Sequence, residues 1–222
     1  LNPIFSKMRT FSHPGYKRFL LSVGCLLSIH FTALFFLTLF RLVFFFSANY
    51  DFPDQEHVGF MSIWPAFIRG VWFDNVIACY ILLIPLVAVS ISALFNYYGK
   101  ILWNVTCIFF SLFYGIVLLV TAANIPYFQY FFKIINSSVF NWFGYMNTTA
   151  GMVFGETSYY PPLIGFLLTL VLFIWLMRRL IRHFQRLLNT KNPSVFWLDR
   201  IYIFLTAGIC IGLCLFGIRG RT

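Results

Sequence analysis

The sequence predicts an all-α membrane protein with five transmembrane helices and a short interfacial helical segment between helices three and four. Three observations predict it. First, 60% of the 222 residues are hydrophobic and 10% are charged, against about 25% charged in an ordinary soluble domain. So few polar groups cannot cover the apolar surface, and the remainder needs lipid. Second, five apolar runs are long enough to cross a ~30 Å hydrocarbon core. Third, the basic residues gather at the ends of those runs, where they set topology and meet anionic headgroups.

Residues 1–19 read as a basic, cytoplasmic N-terminal segment carrying Lys7, Arg9, Lys17 and Arg18. The first apolar run, 20–40, is uncharged and can extend to Phe46 past Arg41. It is too long for the apolar core of a cleaved signal peptide, about 7–15 residues, so it is an anchor. The second run, 73–95, contains Pro85, which predicts a kink. Only residues 96–100 separate it from the third run, 101–123, so these two form an antiparallel hairpin. The fourth run opens on Pro161 and Pro162, residues suited to a first helical turn, and ends in a basic stretch after Met177. The fifth, 201–218, carries Gly208 and Gly212 on one face, a pattern that permits close helix approach. Together, residues 20–218 make the five-helix domain. The outer connection, 124–160, is crowded with aromatic rings, which predicts one or two short helices lying in the interface.

Eleven Lys and Arg fall on the side of the N-terminus, six of them between the fourth and fifth runs. Four fall on the other side: Arg69, Lys133, Arg219 and Arg221. The positive-inside rule then places the N-terminus in the cytoplasm and the C-terminus outside, in a multi-pass protein of the cell (inner or plasma) membrane.

Several function classes are disfavoured. The net charge of +10 sits at helix ends and not on a folded basic stripe, so nucleic acid is not an expected partner. The five cysteines all lie within apolar runs, as packing residues do, and outside the loops that disulfides staple. His13, His57 and His183 are dispersed, and Glu156 is the one acid in the outer aromatic connection, so no metal or acid–base motif can be assembled. No catalytic, cofactor-binding or metal-binding residues are therefore expected in this chain. Asn136 and Asn147 begin short glycosylation patterns that arise readily by chance.

The residues left as candidates are charges placed where charges are costly. Arg41 interrupts the first run, Asp74 stands at the head of the second, and Arg69 precedes it by five positions. An ionisable residue in a span is a functional candidate. These three are candidates for lipid-headgroup contact or ion pairing, with Arg41 and Asp74 able to pair. His30, deep in the first span, is expected to hydrogen-bond to a neighbouring backbone.

The order of LFRLVFF, IRGVWFD, NIPYFQYFFKIINSSVFNW, a basic exit from the fourth helix and FGIRGR resembles the N-terminal membrane domain of lipoteichoic acid synthase-like membrane sulfatases, within the alkaline phosphatase superfamily. The resemblance covers nearly the whole chain on short, degenerate motifs. It implies that residues 219–222 begin an extracellular linker to a catalytic domain that is not part of this sequence. A chain that starts without Met and stops four residues past its last apolar run fits that expectation. In the family, the catalytic domain uses a Thr or Ser nucleophile and a divalent metal such as manganese to transfer or hydrolyse phosphate or sulfate esters. The resemblance thus implies a membrane anchor and lipid-positioning domain, with anionic or phosphoglycerol lipids and its own catalytic domain as partners. Arg41, Arg69 and Asp74 match the family's recurring charges. The alternatives from other classes are a small transporter or channel subunit, and a non-enzymatic membrane scaffold. No inverted repeat supports the transporter.

Overall fold

In lipid, a backbone with no water to bond must satisfy itself, and an uninterrupted apolar run does so as a helix. The structure, a computed structural model, describes residues 13–50, 60–136, 151, 155, 157–188 and 197–219. Its main elements are α1 (Pro14–Tyr50), α2 (Phe60–Leu94), α3 (Lys100–Phe131), α4 (Tyr160–Leu188) and α5 (Trp197–Arg219). A 3₁₀ turn, Thr157–Tyr159, leads into α4, and no strand occurs among the described residues. All five helices are long and apolar enough to cross a membrane, as a multi-pass membrane protein requires.

The helices outrun the apolar windows. The second begins at Phe60 rather than at 73, so Arg69 and Asp74 lie inside α2 and not in a loop or at its head. The third continues to Phe131, so residues 124–131 of the expected outer loop are helical and carry Pro126 within the helix. The reason is that hydropathy marks the lipid, whereas backbone hydrogen bonding marks the helix, and interfacial Tyr, Trp and Arg are compatible with both. Of the outer connection 124–160, where interfacial helices are expected, residues 137–150 lie outside the described residues, as do residues 1–12 of the N-terminal segment 1–19 and residues 220–222 of the expected linker.

Local chemistry closes the elements. The α2–α3 hairpin turns at Asn96, whose left-handed φ of 54° is one that Asn tolerates better than branched residues do. Its N–H donates to the Ala93 carbonyl, and the Tyr97 N–H to that of Ser92. Within the spans, Ser28, Thr38, Ser90 and Thr121 donate back to the carbonyl four residues earlier, which satisfies each hydroxyl without water.

α1 is the central helix, with contacts to all four others, while α5 lies chiefly on α2 and α3 on α4. Phe36, Tyr114 and Phe173 meet where α1, α3 and α4 converge, with edge-on ring separations of 6.1 and 5.5 Å. The outward face is equally apolar: Phe204 and Phe216 of α5 are 68% and 74% exposed. That surface requires lipid or protein against it. Successive helices alternate in direction. His13 meets Asp199, and Arg18 meets Tyr98, at one end. Phe44 meets Phe128, and Ser47 meets Gln129, at the other. The first, carrying Arg18, Lys100, Arg182 and Arg186, is the basic end.

Gly208 and Gly212 do not mediate a helix contact among the described residues. A Cβ at either position meets nothing within 4 Å, so the expected close-packing face is open. α5 instead approaches α2 through Gly217, where a Cβ lands 3.0 Å from Cys79 Sγ.

Candidate functional site

The end opposite the basic residues holds the charged candidates. Arg41 stands roughly 35 Å along α1 from Arg18 at 1.5 Å per residue, slightly more than the ~30 Å hydrocarbon core. Asp74 stands a similar distance along α2 from the turn at Asn96. Both therefore lie near one boundary of the core, with Arg41 leaning across α2 to bring Nη2 to 2.7 Å from Asp74 Oδ2. The pair is mostly withdrawn from solvent, with the side chains 28% and 14% exposed.

What admits the guanidinium is Gly70. A Cβ there would overlap Arg41 Nη1 and Cζ, so the guanidinium lies in the space of a missing side chain. Gly70 and Asp74 are four residues apart and share one helical face. Together they form a seat with a floor of hydrogen and a wall of carboxylate. Arg69, next in sequence, is exposed and forms no ion pair among the described residues.

Below the ion pair a polar seam continues toward the membrane centre. His30 Nε2–H donates to Asn75 Oδ1 at 3.2 Å; the expected partner was backbone, and the principal one is this side chain. Cys79 also donates toward Asn75 Oδ1, at 3.9 Å, and faces Cys214 of α5. All five cysteines are free thiols. Gly217 lies over this seam, with Asn75 Nδ2 3.7 Å from its Cβ position.

The aromatic segment following α3's apolar stretch returns to α1 at the same end. Phe44 and Phe128 pack edge-on at 5.2 Å, Gln129 Nε2 donates to Ser47 Oγ at 3.4 Å, and the Ile135 N–H donates to Asn124 Oδ1 at 2.8 Å. Beside them, between α1, α3 and α4, opens a cleft of about 410 Å³, walled by Phe40, Val43, Ile125 and Pro162 with Ser47, Gln129 and Thr169 as its polar side chains. Arg41, Arg69 and Asp74 do not line it. They and the cleft occupy different faces of the bundle's end.

Residue-type reasoning passed over Gly70, Asn75 and Asp199. A glycine four positions before an intramembrane acid was a legible signal for the first. For Asp199 the signal was an acid in a first helical turn, where the dipole favours it. It is fully buried and accepts a hydrogen bond from His13 Nδ1–H at 2.7 Å. Among the described residues no group of three or more His, Cys, Asp or Glu could hold a metal ion. The arrangement can neutralise and position charge at a membrane boundary. Comparison with family models, curated proteins and solved structures returns no match to this chain.

Proposed function

We propose that this chain is the membrane anchor and lipid-positioning domain of a lipoteichoic acid synthase-like membrane sulfatase. Such an enzyme transfers or hydrolyses phosphate or sulfate esters, with phosphoglycerol-type headgroups as the class of substrate, at the outer membrane surface. One observation carries the reading. The described residues of four of the five features that bear the resemblance meet at one end of the bundle, and the fifth, the basic exit from α4, lies at the other. Arg41 of LFRLVFF pairs with Asp74 of IRGVWFD across Gly70. Phe128 of the aromatic segment packs on Phe44, and Gly217 of FGIRGR abuts Cys79 one turn beyond Asp74.

In this reading the convergent end faces outward and the basic end faces the cytoplasm. The seated ion pair fixes α1 against α2 just where headgroups begin, and the neighbouring apolar cleft suits an acyl chain. The nucleophile and the divalent metal belong to a separate catalytic domain. Sequencing the encoding reading frame beyond Thr222 tests the proposal. A metal-dependent esterase or transferase domain is expected there, and a stop codon directly after Thr222 overturns it.

A further inference from the structure

The basic end contains a second cleft, of about 520 Å³, which the anchor role does not use. It lies between α1, the start of α3 and the last third of α4. Arg18, Lys100, Arg182 and Arg186 line it together with Tyr98 and Trp103, and among the described residues no carboxylate does. None of Lys100, Arg182 and Arg186 is ion-paired among the described residues. The two acids described with side chains, Asp74 and Asp199, are engaged elsewhere by Arg41 and His13.

Helix electrostatics do not account for this clustering. Arg186, in the last turn of α4, complements the negative end of that helix dipole. Lys100 does the reverse: it is the first residue of α3, where the dipole is positive and a cation is unfavourable. The same helix end is capped by Gly99 with no side-chain hydrogen bond, leaving its first N–H groups to an outside acceptor. Two like-signed features thus converge on one space, and an anion there relieves both.

An independent observation points the same way. Trp103 is 1% exposed, lines the cleft, and its indole Nε1–H has no hydrogen-bond partner. Indole is a donor only, and a buried donor left unsatisfied is costly. The Tyr98 hydroxyl is likewise buried without a partner. Burial pushes it up to about 12 despite the opposing pull of Arg18, so it remains a donor at neutral pH. The cleft is therefore rich in cations and in donors without a partner.

We infer that this cleft binds the phosphate of an anionic phospholipid from the leaflet at the basic end. The shared chemistry is a phosphate oxyanion, and position selects lipid as its source. Trp103 and Tyr98 sit at the level where aromatic residues meet headgroups. Arg182 and Arg186 also continue onto the outer surface of α4, beside Arg179, which stacks over Trp175 at 5.3 Å. A headgroup can enter sideways from the membrane along that basic strip. The site goes beyond the anchor reading and does not depend on it, since it lies at the opposite end of the bundle.

The test uses the full chain purified in a neutral detergent, with thermal unfolding followed during titration of phosphatidylglycerol, phosphatidylcholine or inorganic phosphate. Phosphatidylglycerol is expected to raise Tm saturably and phosphatidylcholine is not. Arg182→Gln and Arg186→Gln should each weaken the phosphatidylglycerol response about fivefold, and the double variant more than tenfold. Tyr98→Phe keeps the ring and loses only the donor, whereas Trp103→Phe removes the donor together with part of the indole's volume. Each should weaken binding several-fold when the lipid response is read against the variant's own lipid-free Tm, which keeps the test valid if the arginine variants fold poorly. Equal responses to the two lipids, or a phosphatidylglycerol response untouched by Tyr98→Phe, Trp103→Phe and the double variant, overturn the site. Saturation by millimolar phosphate that displaces phosphatidylglycerol overturns the lipid assignment.

Discussion

The guanidinium of Arg41 fills the space that a side chain at position 70 would otherwise occupy, so the two residues are one structural decision. Because a Cβ there would overlap the Arg41 guanidinium, Gly70→Ala is expected to displace it from Asp74. Helix propensity by itself favours Ala over Gly by about 1 kcal/mol. A net loss of stability therefore isolates the contact. Gly70→Ala is expected to destabilise by about 1–3 kcal/mol, the range for stranding a buried polar partner, as read by thermal unfolding in detergent. In an Arg41→Ala background the same change should be neutral or stabilising. If Gly70→Ala destabilises equally in both backgrounds, the ion pair is not the cause. Charge exchange gives a second reading: Arg41→Asp and Asp74→Arg should each destabilise, and the double variant should recover part of the loss.

At the scale of elements, α5 shows what a hydropathy profile conveys and what it leaves out. Its span was legible as an apolar run, and the glycine spacing of Gly208 and Gly212 was legible as a packing pattern. Which face of the helix meets a neighbour depends on where α2 sits, and local spacing carries no information about that. The helix turns Gly208 and Gly212 outward and Gly217 inward. Substitution separates these positions. Gly208→Leu and Gly212→Leu should leave monomer stability unchanged or raise it by up to about 1 kcal/mol, the helix-propensity difference at an open site. Gly217→Leu should lower it by about 1–3 kcal/mol through overpacking against Cys79. A large loss at Gly212 in a monomeric preparation would contradict the observed face. The other end of α5 is held by Asp199, whose partner His13 is 186 positions away. That pairing was illegible for the same reason, whereas Gly70 and Asp74, four residues apart on one helix, could be read directly. Asp199→Ala strands His13 Nδ1 and should loosen α5 from α1, visible as faster amide exchange over its first turns. Unchanged exchange there would remove the pair as the clasp.

Across the whole molecule, the two ends of the bundle differ in kind, and that difference decides how it sits in a membrane. Arg41 has its charge neutralised by Asp74, so it contributes little to the charge asymmetry that orients the chain. Lys100, Arg182 and Arg186 lie together at the basic end with no ion pair among the described residues, so they contribute in full. Under the proposed orientation, positive-inside topology, which counts Lys and Arg close to the span ends, is expected to put the basic end in the cytoplasm. The seated ion pair and Lys133 are then expected outside. Accessibility decides this directly. In a background with the five native cysteines replaced, Lys133→Cys in intact cells should react with a membrane-impermeant maleimide. Gln185→Cys, at the rim of the basic cleft, should react only after the membrane is opened. The reverse pattern would invert the molecule and bring the basic cleft into the outer leaflet. It would also turn the convergent segments toward the cytoplasm, which removes the geometry on which an outward-facing catalytic partner depends.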